Sequence, residues 1–182
     1  AYAICNQDFM IQEKLPWTID LRQVVEAMNT MSSRLKNIFE EQVKVSESLR
    51  QQAFQSPVTG LGNRRYFDMQ FQFMTQQASD QSGFMLLLEL YDFKNFNDKY
   101  GYEKGDELLK AAAHLLSENT EKQGQKILAH LGGADFALIM PNKTDELAKE
   151  IADKILKALI GLNTQGLLQE SNVAHIGLTL FQ

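Results

Sequence analysis

From Leu21 to Gln55 the chain runs without a proline or glycine. Leu21, Val24, Met28, Met31, Leu35, Ile38, Gln42, Val45, Leu49 and Gln52 recur there at alternating spacings of three and four, and eight of the ten are apolar. This is the seam of a heptad repeat, and uninterrupted backbone lets one helix carry it. Charged residues fill the intervening positions, among them Arg22, Glu26, Arg34, Lys36, Glu40, Glu41, Lys44, Glu47 and Arg50. At about 1.5 Å per residue such a helix reaches roughly 50 Å, too long to lie across one small domain. Two arrangements suit the pattern: an amphipathic helix folded back on its own core, or parallel dimerisation through a narrow stripe, which the spacing favours. Gln42 and Gln52 loosen the seam locally, as polar seam residues do when they set register.

The heptads divide the chain. Upstream, residues 4–14 suit a short helix, and Leu15-Pro16-Trp17-Thr18-Ile19-Asp20 reads as a connector in which Pro16 stops an incoming helix and Asp20 caps the next. With Glu26-Ala27-Met28-Asn29, this arrangement resembles the second half of a HAMP signal-relay module, which implies a transmembrane helix before residue 1. The expected organisation is therefore residues 1–20 as HAMP-like end and connector, 21–55 as signalling helix, and 56–182 as a globular domain. With 182 residues, 44% of them hydrophobic, the chain has material for one core plus an appendage. A net charge of −5 offers no basic stripe for nucleic acid. Cys5 is the sole cysteine, and His114, His130 and His175 share no metal-ligand spacing with it, so neither a disulfide framework nor a zinc site is expected.

Beyond Pro57 the pattern changes. Asn63 is placed to cap a helix running to about Gln77. Residues 84–91 form a compact apolar run that reads as a buried central strand, with Glu89 conspicuous in it. Residues 94–100 and 105–118 suit helices. Residues 127–131 and 136–140 flank Gly132-Gly133 as a hairpin. Residues 144–162 make an amphipathic helix, with Leu147, Ile151, Ile155, Leu156 and Leu159 on one face, and 173–181 a final strand. This order of elements favours a two-layer α+β fold.

Four segments occur in sequence: Val58-Thr59-Gly60-Leu61-Gly62-Asn63-Arg64-Arg65, Phe93-Lys94-Asn95-Phe96-Asn97-Asp98, Gly105-Asp106 and Gly132-Gly133-Ala134-Asp135-Phe136. Together they resemble the GGDEF domains of diguanylate cyclases, which condense two GTP molecules into cyclic di-GMP. The resemblance covers roughly residues 55–182. It implies a nucleotide-cyclase-like fold, a central mostly antiparallel sheet flanked by helices, whose C-terminal end lies beyond this chain.

The chemistry of that family needs carboxylates to hold Mg²⁺ while a 3′-hydroxyl attacks an α-phosphate. The resemblance places the metal ligands at Glu89, one methylene longer than the usual Asp, and at Ala134, which has no side-chain oxygen. A second strand acid is replaced by Tyr91, and Asp135 sits one position too far along the turn. Mg²⁺ demands near-ideal octahedral geometry, so no cyclase activity, metal or cofactor is expected. Lys94, Asn97 and Asp106 match the positions that meet triphosphate and guanine in similar domains, a vestigial nucleotide site. On their own chemistry Asn97 and Asp106 also suit local caps. The product-binding inhibitory pair is replaced by Gln123 and Lys126. His130 reads as a strand terminator, and Phe67, Phe71 and Phe73 as core rather than a stacking platform.

The connector, Phe39-Glu40-Glu41-Gln42, Leu49-Arg50 and the run Gly60–Asp68 further resemble inner-membrane cyclic di-GMP receptors of the LapD type. That resemblance implies a homodimer through residues 21–55 and a downstream EAL domain held in autoinhibition. It also implies a cytoplasmic location beneath the inner membrane and, indirectly, a periplasmic protease as output partner in biofilm control. A GTP-sensing regulator of an EAL phosphodiesterase and a weak cyclase using Glu89 and Asp135 are the alternatives.

Overall fold

The structure, a computed structural model, describes residues 19–77, 82–121, 124–142, 144–164 and 173–181. The short helix expected at residues 4–14, most of the connector and Gln123 lie outside the described residues. The chain divides into two compact units, Ala1–Gln51 and Gln52–Gln182.

Helix α1 runs over Ile19–Phe54, continuous as the absence of proline and glycine requires. Its described part begins at Ile19, and the capping role expected of the Asp20 side chain lies outside what is described. The seam residues Leu21, Val24, Met28, Met31, Ile38, Val45 and Leu49 are each more than half exposed. Leu35, also in the seam, is half-buried, while the rest of the apolar stripe stands open.

The second unit contains β1 (Gly62–Asn63), α2 (Arg64–Gln77), β2 (Gly83–Leu90), α3 (Phe93–Tyr100), α4 (Tyr102–Thr120), β3 (Ile127–Gly132), β4 (Asp135–Pro141), α5 (Asp145–Thr164) and β5 (Ala174–Phe181). The strands form one sheet in the order β1-β3-β4-β2-β5, antiparallel except for the short β1–β3 pair. The expected α+β fold and each expected strand and helix of this unit are present, with ends shifted by at most three residues, the largest at the start of α4.

Alternation along β2 sorts the two faces of the sheet. Phe84, Leu86, Leu88 and Leu90 point one way and are at most 2% exposed. They meet Phe136, Leu138 and Met140 of β4, Leu108, Ala112 and Leu116 of α4, and Ile151, Ile155 and Leu159 of α5 in the main core. The opposite face has a smaller cluster of Met74, Ile127 and Ile139, with Tyr66, Phe67, Met85 and Phe181 against it. Helix α2 packs on the β3 side of this face. Phe71 and Phe73 are exposed, 39% and 57%, which corrects their expected place in the core: α2 presents only one of its sides to the sheet.

Asn63 caps α2 as expected, its Oδ1 accepting the Tyr66 amide at 3.0 Å. The Asn63 amide nitrogen donates to the carbonyls of Ala53 at 3.0 Å and Gln55 at 3.3 Å. One side chain thereby joins the last turn of α1, the loop after it and the start of α2.

Leu108→Ala should lower stability by about 3 kcal/mol in chemical denaturation, because it opens a cavity in the main core. Leu87→Ala, on the open face of the same sheet, should change it by less than about 1 kcal/mol.

Candidate functional site

The β3–β4 hairpin turns at Gly132 and Gly133, with φ of 120° and 58°. Such backbone is cheap only for glycine, so these two residues fix the path of the turn. A register irregularity between His130 and Gly132 brings Gly132 opposite Asp135. The Ala134 carbonyl accepts the Leu90 amide at 3.0 Å, which locks the turn to the end of β2. The Ala134 methyl packs against the main core.

Asp135 begins β4, opposite Glu89 of β2, and Glu89 in turn lies opposite His175 of β5. Cross-strand partners share a face, so these three side chains stand in one row on the sheet face turned away from the main core. Glu89 is exposed there, which removes the oddity of an acid in an otherwise buried strand. A cleft of about 420 Å³ opens over this row, with Leu87 and Gly177 beneath it and Arg64 at its side. Arg64 Nε donates to the Leu131 carbonyl at 3.4 Å. Tyr91 meets the His175 ring edge-on at 5.3 Å.

A divalent metal is poorly served by this arrangement. At the first acidic position of the turn stands a methyl group, Tyr91 offers a phenol in place of a carboxylate, and the remaining acids come from one rung of the sheet. Among the described residues no group of three or more His, Cys, Asp or Glu side chains is arranged to hold a metal ion.

The nucleotide-matching residues lie on α3 and α4. Lys94 is exposed in the first turn of α3. Asn97 is within α3 and Asp106 within α4, so neither is the cap that its residue type suggests. The residues preceding those helices are Asp92, at φ 54°, and Gly101, at φ 87°, and neither supplies a side-chain cap bond. Asn97 Oδ1 is buried without a hydrogen-bond partner. It sits against Gly105, where any side chain would collide with it. Asn97 Oδ1 thus lies unpaired beneath the start of α4.

Lys126 has a structural occupation. Its ammonium donates to Thr120 Oγ1 at 2.9 Å and to the Ser117 carbonyl at 3.5 Å, closing the end of α4. Burial lowers its pKa, with Glu121 pulling the other way.

His130 is not a strand terminator. It lies within β3, 7% exposed, and stacks on Phe136 with ring centroids 4.8 Å apart. Its Nδ1 is 2.8 Å from Ser56 Oγ and its Nε2 3.1 Å from the Gly133 carbonyl. Sequence reasoning missed Ser56, Arg64 and His175. Ser56 and His130 stand 74 positions apart, and no local pattern joins them.

The diguanylate cyclase GGDEF-domain family matches residues 53–182. This chain belongs to that family. Among curated relatives, the RNase E specificity factor CsrD of Escherichia coli is 28% identical over 154 residues, 84% of this chain and 24% of that protein. The diguanylate cyclase DgcM of the same species is 33% identical over 134 residues, 70% of this chain and 31% of that enzyme. The chain thus spans about a quarter to a third of these relatives' length. Among solved structures, the S helix-GGDEF-EAL portion of Vibrio cholerae LapD bound to c-di-GMP is 26% identical with a TM-score of 0.63, covering 77% of this chain and 32% of that one. The coiled coil and GGDEF domain of DgcB from Caulobacter crescentus share the fold, with a TM-score of 0.65 over 84% of both chains.

Gly133→Ala should cost about 1–2 kcal/mol in urea denaturation, the penalty of a side chain in left-handed backbone. The helical far-UV signal at low denaturant should stay unchanged.

Proposed function

We propose that this chain is the relay segment of a transmembrane cyclic di-GMP receptor: a catalytically silent GGDEF domain joined to a dimerising signalling helix. The observation that carries this reading is Ala134, a methyl packed on the core in a turn whose glycine geometry is otherwise complete. Tyr91 for an acid and a lysine engaged with α4 at the inhibitory position point the same way. The uncovered heptad seam supports a parallel homodimer through α1.

Similarity to LapD supports an EAL domain downstream in the same polypeptide as the ligand-binding part. In this reading the GGDEF domain holds the EAL domain in an autoinhibited arrangement. Ligand releases it, and the helices carry the change through a HAMP-like module and the inner membrane to a periplasmic output that controls a protease. The residues before Ile19 belong to that module.

A second reading has its own observation. The unpaired Asn97 Oδ1 is buried against Gly105, and a shift that uncovered it would let it receive a hydrogen bond from a guanine edge, as a GTP-sensing regulator of an EAL phosphodiesterase would require.

Incubation of the dimeric chain with GTP and Mg²⁺ or Mn²⁺ should yield no cyclic di-GMP by liquid chromatography. Product formation would instead establish a weak cyclase working through Glu89 and Asp135. Calorimetry with GTP separates the second reading: heat of binding that Asn97→Ala abolishes would favour the sensor, and none would eliminate it. In sedimentation, Ile38→Lys should convert the dimer to monomer, since it puts a charge in the seam.

A further inference from the structure

The hydrogen-bond chain through His130 connects two places that the receptor reading treats separately. A carbonyl oxygen only accepts, so the bond to Gly133 requires a proton on Nε2. In the neutral ring Nδ1 is then a bare acceptor, and the Ser56 hydroxyl donates to it. In that form both ring nitrogens of the nearly buried imidazole are satisfied.

Ser56 stands two residues beyond the end of α1. Its backbone closes a tight loop: its amide donates to Leu61 at 2.7 Å, and its carbonyl accepts from Gly60 at 2.9 Å. Gln55 bridges Gly62, while Gly62 and Asn63 pair in parallel with Ala129 and His130. Asn63 holds the carbonyls of Ala53 and Gln55. The exit of the helix is therefore fastened to the strand that carries His130, and His130 is fastened to the turn.

We propose that Ser56 and His130 form a neutral relay that ties the conformation of the Gly132-Gly133 turn to the position at which α1 leaves the domain. His130 and Ser56 act as positioning residues. Moving the helix exit withdraws the Ser56 hydroxyl and leaves Nδ1 a buried orphan, which forces the ring to turn and release the Gly133 carbonyl. The coupling runs equally from turn to helix. It rests on the reading of this chain as a relay, and specifies the residues through which the globular domain engages its helix. Nucleotide and metal are not needed for it.

The test is amide hydrogen exchange by mass spectrometry on the full chain, following residues 131–136 with residues 108–116 as reference. Ser56→Ala should speed exchange in the turn about fivefold, the factor that corresponds to about 1 kcal/mol for one hydrogen bond, with the α4 reference unchanged. Ser56→Thr keeps the hydroxyl and should restore wild-type exchange. In a His130→Gln background, which lacks the acceptor at Nδ1, Ser56→Ala should have no further effect. Unchanged turn exchange in Ser56→Ala, or failure of Ser56→Thr to rescue it, overturns the relay. Imidazole ¹⁵N spectra of the unmodified chain in mildly alkaline buffer give an independent check: an Nε2–H tautomer is expected, and Nδ1–H overturns the proposal. Cyclic di-GMP synthesis would sink the receptor reading and leave the exchange result untouched, so the two failures are distinguishable.

Discussion

The central position of β2, hydrogen-bonded to β4 on one side and β5 on the other, governs everything else in the domain. Because its side chains alternate, placing Phe84, Leu86, Leu88 and Leu90 under α4 and α5 leaves Leu87 and Glu89 no choice but the other face. A slip of one residue would bury Glu89 among leucines, at a cost no single contact could offset. The same register sets Asp135 and His175 beside Glu89, so the composition of the open cleft follows from the packing of the opposite face.

The hairpin turn obeys a different constraint, and the two are separable. Its path depends on Gly132 and Gly133 in positive-φ backbone and on the Ala134 carbonyl bound to Leu90. None of these involves the side chain at position 134. A carboxylate there can be replaced by a methyl without altering the peptide geometry that defines the turn. Metal chemistry needs the carboxylate, and the scaffold does not.

Much of this was legible in sequence because it rests on local rules. The heptads made α1 one helix, Asn63 capped α2, and the apolar run at residues 84–91 became the central strand. What escaped depends on tertiary placement. Asn97 and Asp106 look like caps by residue type, yet α3 and α4 begin earlier and enclose them, and the first turn of α4 is an exposed run, Tyr102 to Lys104, that carries no apolar signal. Phe71 and Phe73 looked like core because nothing local reports that α2 touches the sheet on one side only. Burial of His130 and its bond to Ser56 arise from the β1–β3 pairing, a contact between distant segments.

That pairing explains why a neutral couple suits this position. A buried ion pair between helix exit and turn would carry a desolvation cost, and breaking it would strand a charge in the interior, which favours a rigid joint. A serine hydroxyl and an imidazole exchange weaker bonds, and a hydroxyl can rotate to another partner. The Thr59 amide donates to Ser56 Oγ at 3.4 Å, a bond that uses the oxygen's lone pair and so survives whichever way the hydroxyl proton turns. A joint of this kind can hold two arrangements separated by a modest free-energy difference, which a helix dimer changing its register is able to supply. The methyl at position 134 thus leaves intact the connection through which the turn would report on the helix.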